Sequence, residues 1–129
     1  MSKAVNSFLV ASTLAARRAV AITAGETVGY PANAQALPIG ITLDTVLDTT
    51  SSIPVACAGE IAELLFDDTV AAAGLVGIDS SGRGIPFTLA NTTTALTLAN
   101  AYIGVLVGPA VAATGTIARV LINPGYDRV

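Results

Sequence analysis

Histidine is missing from all 129 residues. With it go the commonest general base, the usual nucleophile and base triads, and most zinc or iron sites. Tryptophan is missing as well, and the aromatic complement stops at three Phe and three Tyr, so any core must be built from aliphatic side chains. The single cysteine, Cys57, allows no intramolecular disulfide. Within "PVACAGEIAEL" it reads as a small buried hydrophobe. Charged residues are 12% of the chain, about half the roughly 25% usual for a soluble domain. Much of the surface must therefore be neutral or covered.

Charge of either sign is absent between Arg83 and Arg119. That gap raises a membrane span, but Pro86, Asn91, Asn100, Gly104, Gly108 and Pro109 interrupt it. A spanning helix needs about 20 mainly apolar residues in a row, so no membrane partner is expected. A net charge of −3 with six basic residues leaves no basic patch of the kind that neutralises phosphates, and direct nucleic-acid binding is not expected. Near the N-terminus, Asn6, Ser7, Ser12 and Thr13 dilute the apolar run, and Arg17-Arg18 stand where a secretory leader's apolar region would continue.

What is present is Ala, Val, Ile and Leu, 53% of residues counting as hydrophobic, interleaved with Thr and 12 Gly. Small β-branched residues with frequent turn formers suit strands. Strands are expected at Val28 to Tyr30, Ile39 to Leu43, Glu60 to Phe66, Leu75 to Ile78, Ile103 to Val107 and Thr116 to Ile122. "DSSGRG" at Asp79 to Gly84 is the strongest turn and predicts a hairpin joining Val76 to Ile78 with Ile85 to Phe87. Short strands at intervals near ten residues predict an all-β fold, a compact β-barrel, β-tulip or sandwich.

The chain also echoes itself. "AGETVGYP", "PIGITLD" and "AGEIAEL" recur in order as "AGLVGID", "YIGVLVG" and "TGTIARV", which reads as an internal duplication, pseudo-repeats at about 20–66 and 70–123. The second copy carries a Thr-rich insertion, "TLANTTTALTLAN". Residues 1–19 lack Gly and Pro and read as an N-terminal arm attached to a single β domain of residues 20–129.

Candidate chemistry is thin. Asp67-Asp68 read as a solvated turn before Thr69, because neighbours in a strand point to opposite faces. Glu60 with Glu63, and Asp44 with Asp48, lack the dense alternation of a calcium loop. Gly82-x-Gly84 has no third glycine for a dinucleotide fingerprint. Gly104-x-x-x-Gly108 mimics a membrane helix motif, but Pro109 follows it, and close strand packing or a turn is the better reading. "GLVGIDSSGRG" looks slightly like a loop of trimeric deoxyuridine triphosphatases, with Asp79, Ser80, Arg83 and Gly84 at matching positions; the family's aromatic and its P-R-S-G motif are absent. No catalytic, metal or cofactor site is expected, and no enzyme.

The phrases at Ala24 to Val28, Ile39 to Ile41, Gly59 to Ile61, Ala73 to Gly82 and Gly115 to Ile117 resemble the recurring elements of small capsid decoration (cement) proteins of tailed bacteriophages. That resemblance implies a β-barrel or β-tulip subunit, commonly a homotrimer, on the outer surface of the virion head. It would be made in the host cytoplasm and would clamp neighbouring major capsid protein subunits. Phe8, Leu9, Val10 and Leu14 in the arm are the expected apolar contacts with the shell or a neighbouring subunit. Arg17 and Arg18 are the expected partners of acidic shell residues. A phage tail or fibre module is the alternative reading. Neutral exposed surface points to a partner in either case.

Overall fold

Short aliphatic runs cut by Gly, Pro and Asp favour strands joined by turns. Strands are the only regular elements among the residues the computed structural model describes, 5–32, 36–87, 100–111 and 113–126. Five of them, β1 (Val5–Val10), β2 (Ala19–Ala24), β3 (Thr27–Gly29), β4 (Pro38–Thr42) and β5 (Ser52–Cys57), close into a barrel of order β1-β3-β2-β4-β5. The others, β6 (Ile61–Leu65), β7 (Leu75–Ile78), β8 (Gly84–Pro86), β9 (Ala101–Val107) and β10 (Ile117–Tyr126), form a second sheet of order β6-β10-β9-β7-β8. That sheet curls. Just past β6, Phe66 forms a parallel bridge with Gly84, and the Asp67 N–H donates to the Gly84 carbonyl at 2.8 Å, so the β6 end reaches β8.

Two cores follow from strand alternation. Val10, Leu14, Val20, Val28, Val46, Ile53 and Val55 fill the barrel. Leu64, Phe66, Val76, Ile103, Val120 and Ile122 belong to the second core, joined by Ala19, Ile41 and Ala56 from the barrel strands. Because barrel residues complete the second core, the two sheets are fastened together by shared burial.

Every strand expected from the sequence is present, and the hairpin pairs Val76 with Pro86, Gly77 with Ile85 and Ile78 with Gly84. Two expectations change. Residues 1–19 do not stand apart as an arm. In their described part, β1 pairs with five residues of β5 and runs parallel to β3, closing the barrel, and Leu14 bridges Val46. The proposed repeat boundary also moves. β6, assigned to the first unit, sits in the second sheet and pairs with β10, its own counterpart. β2 separates β3 from β4, whereas β7, β9 and β10 are successive neighbours. The echo is one of strand and turn phrases rather than of a repeated topology. Most of the Thr-rich insertion, Thr88 to Ala99, lies outside the described residues.

The joint between the sheets runs through Arg17, Arg18 and Ala19. Arg17 takes a left-handed φ of 61°; its N–H donates to the Thr42 carbonyl and its carbonyl accepts from the Leu65 N–H, both at 2.9 Å. The Ala19 N–H donates to the Gly82 carbonyl at 2.7 Å, docking the hairpin turn on the barrel. Thr42, buried at 1% exposure, donates its hydroxyl to the Ala15 carbonyl at 2.7 Å and accepts from the Arg18 N–H at 3.1 Å. Thr42→Val keeps the shape and strands both groups. It is expected to destabilise the fold by about 1–3 kcal/mol, read as a lowered urea midpoint with unchanged slope; an unchanged midpoint would contradict this account of the joint.

Gly104 and Gly108 do the two things their spacing suggested. A Cβ on Gly104 would collide with the Leu121 carbonyl oxygen of the adjacent strand. Gly108, at φ +99°, turns the chain out of β9. In β10 the register shifts between Ile122 and Gly125, an irregularity that takes Pro124, which has no N–H for the ladder.

Candidate functional site

Alternation on β10 sends Val120 and Ile122 into the core and leaves Ile117, Arg119 and Leu121 outside; on β6 it buries Ala62 and Leu64 and leaves Ile61 and Glu63 outside. Register then lines these outward residues up across strands. Ile61 pairs with Leu121, Leu121 with Val105 and Val105 with Leu75, giving one apolar row across four strands. The row is open to solvent: Ile61 is 49%, Leu121 39% and Leu75 41% exposed. The adjoining row runs Glu63, Arg119, Val107, and the one beyond it pairs Leu65 with Ile117, which is 44% exposed.

The outer face of an antiparallel sheet is ordinarily polar. Here Glu63 and Arg119 are the polar members of these rows, flanked by aliphatic side chains. At one end the face opens into a groove of ≈ 320 Å³ lined by Glu63, Val107, Pro109, Val111, Ile117 and Arg119. Glu63 also lies 3.5 Å from Arg17, with both side chains about half exposed, a pair of the exposed kind that contributes little to stability.

The residues expected to meet a partner divide sharply. Val10 at 5% and Leu14 at 1% exposure are consumed by the barrel interior, which corrects their assignment as contacts with another chain. Phe8 packs partly against the same core, and Leu9 projects outward, 51% exposed. Arg17 pairs with Glu63, and Arg18 Nη1 donates to the Ser81 carbonyl at 3.1 Å. These six residues therefore form no single surface patch. The outward row Ile61, Leu121, Val105, Leu75 was missed from sequence, although "EIAELL" and "TIARVLI" both carry its period of two.

The polar candidates are occupied with turn geometry. Asp79 Oδ1 accepts from the N–H groups of Ser81 and Arg83, both at 2.9 Å, and its Oδ2 lies 3.2 Å from Arg83 Nε. Asp67, expected in a solvated turn, instead pairs with Arg83 Nη1 at 3.1 Å. Asp68 accepts from the Thr69 N–H at 2.7 Å. The Thr50 N–H and, secondarily, its hydroxyl hold the exposed Asp48 carboxyl below the ordinary carboxylate range. Cys57 is half-buried rather than fully buried, with its sulfur 3.7 Å from Asn6 Nδ2. Among the described residues no group of three or more His, Cys, Asp or Glu is placed to hold a metal ion. No helix among them is long and apolar enough to cross a membrane.

No family model matches the sequence, and no curated protein matches it. The structure is similar to a solved one, the head fiber gp8.5 N base of bacteriophage phi29, with a TM-score of 0.66 and 13% identity over 95% of each chain. At that identity the likeness establishes a shared all-β fold along nearly the full length of both.

Proposed function

We propose that the chain is a structural protein of a tailed-phage virion that binds the outer surface of the head and clamps neighbouring major capsid protein subunits. It would assemble as a homotrimer after synthesis in the host cytoplasm and carry out no enzymatic step. The observation that carries this reading is the likeness, over 95% of both chains, to the base of a phage head fiber. The decoration-protein phrases at Ala24 to Val28, Ala73 to Gly82 and Gly115 to Ile117 support it, as does an outward sheet face that is mainly aliphatic. Such a role needs no catalytic group. It needs area buried against more than one neighbour, in which many weak apolar contacts add up, and it gains by avidity when linked copies bind together.

The same likeness favours a second reading, in which the chain is the seat of a fibre on the head rather than a clamp. The two differ in what they do to the shell. Purified chain added to undecorated heads is expected to co-pellet saturably at a fixed ratio to the shell protein under either reading. Under the clamp reading the decorated heads also resist heat better. Chain that stays in the supernatant would overturn both. Leu9, on barrel strand β1, is the one of the six expected contact residues that is apolar and half exposed. Leu9→Asp is expected to weaken co-pelleting about tenfold, equivalent to about 1.4 kcal/mol, with the melting temperature unchanged.

A further inference from the structure

We infer that the outward face of β6 and β10 is where copies of this chain meet, with Arg119 of one copy set against Glu63 of the next. The face is apolar across the row Ile61, Leu121, Val105, Leu75 and again at Leu65 and Ile117. Contiguous exposed aliphatic surface of this kind marks an interaction site. What distinguishes a second copy from an unrelated partner is the placement of charge.

Glu63 and Arg119 are direct cross-strand neighbours. A half-turn about a line running between β6 and β10 superposes Glu63 on Arg119, Ile61 on Leu121 and Leu65 on Ile117. Under that operation the β6 and β10 members of these rows meet, aliphatic on aliphatic and each charge on its opposite, the self-complementarity a two-fold interface between identical chains requires. The same matching, the β6 side of one face on the β10 side of the next, serves a pair or a closed ring. Among the described residues Arg119 makes no salt bridge, and Glu63 has only the half-exposed Arg17 at 3.5 Å. The Arg119 guanidinium, which makes no salt bridge among the described residues and is bordered by Leu121, Ile117 and Val107, gains a second carboxylate when the faces close. Opposite charges across such a contact set its register and exclude wrong partners.

The inference rests on the self-association included in the proposed function, and its test uses the full chain without phage heads, so its failure is separable from failure of head binding. Light scattering across a concentration series is expected to give a multiple of the 12.9 kDa chain mass. Arg119→Glu and Glu63→Arg should each push association to at least tenfold higher concentration, and Leu121→Lys should do the same. All three should keep a cooperative melt, since these side chains are exposed. Mixing Arg119→Glu with Glu63→Arg is the decisive arm. Within either variant positions 63 and 119 still carry like charges, but between the two chains they become complementary. Mixed assemblies containing both chains are therefore expected, and they report contact between copies rather than a repaired strand pair. A monomeric wild type, variants of unchanged mass, or a mixture that stays monomeric would overturn the inference. A wild type monomeric in solution whose Leu121→Lys variant loses head binding would do so as well, and would give the face to the shell.

Discussion

A chain lacking residues 1–19 is expected to lose its fold, not merely its grip on a partner. The deletion removes β1, whose pairs with β5 run from Val5 with Ala56 to Leu9 with Ser52, and which also pairs with β3. A closed barrel would become an open sheet with two exposed edges, the arrangement that invites aggregation. Leu14 and Val10 would leave the barrel core. Losing a buried leucine costs about 2–5 kcal/mol, and losing a buried valine about 1.5–3 kcal/mol more. The ladder hydrogen bonds add about 0.5–1.5 kcal/mol each. The joint goes too, because the Leu65 N–H loses the Arg17 carbonyl and the Gly82 carbonyl loses the Ala19 N–H. Together these losses are on the order of 10 kcal/mol, comparable to the whole stability of a typical domain. The expected result is insoluble protein, or soluble protein without a cooperative thermal transition by circular dichroism. A truncated chain that melts cooperatively near the full-length temperature would show that β1 is dispensable and restore the arm as a separable anchor.

The misplaced arm shows where local sequence stops informing. Strands bounded by Gly, Pro or Asp were legible, and so was the Asp79 to Gly84 turn, because turn chemistry acts within a few residues. Pairing was not legible. β1 finds its partner on β5, with Val5 opposite Ala56, and "VNSFLV" alternates too weakly to announce a buried face. The repeated phrases misled for the same reason: "GEIAEL" and "GTIARV" encode similar strands, but the fold pairs them with each other. The outward apolar face was hidden because β10 is aliphatic on both sides. Val120 and Ile122 alternate with Ile117 and Leu121, and a period of two cannot tell which set faces the core.

Phe66→Ala is expected to give the largest single-residue loss of stability. Phe66 is fully buried and heads the set of largest buried side chains in a chain with no tryptophan. Its N–H donates to the Thr116 carbonyl and its carbonyl accepts from the Gly115 N–H, both at 2.8 Å, so the backbone cannot readily collapse into the space the ring leaves. Truncation of a buried phenylalanine costs about 3–5 kcal/mol, a drop of roughly 10–20 °C in melting temperature for a domain of this size. Gly84 supplies the control. A methyl there would lie 2.6 Å from the Phe66 ring carbons and 2.9 Å from Leu64 Cδ2, so Gly84→Ala alone should also destabilise. With the ring removed, that methyl enters the vacated space. The double variant is therefore expected to be more stable than the sum of the single losses, by about 1 kcal/mol or more. Simple additivity in the denaturant midpoints would mean that ring and glycine do not share one packing site, and that the second sheet is held to its β8 end by the backbone bridge alone.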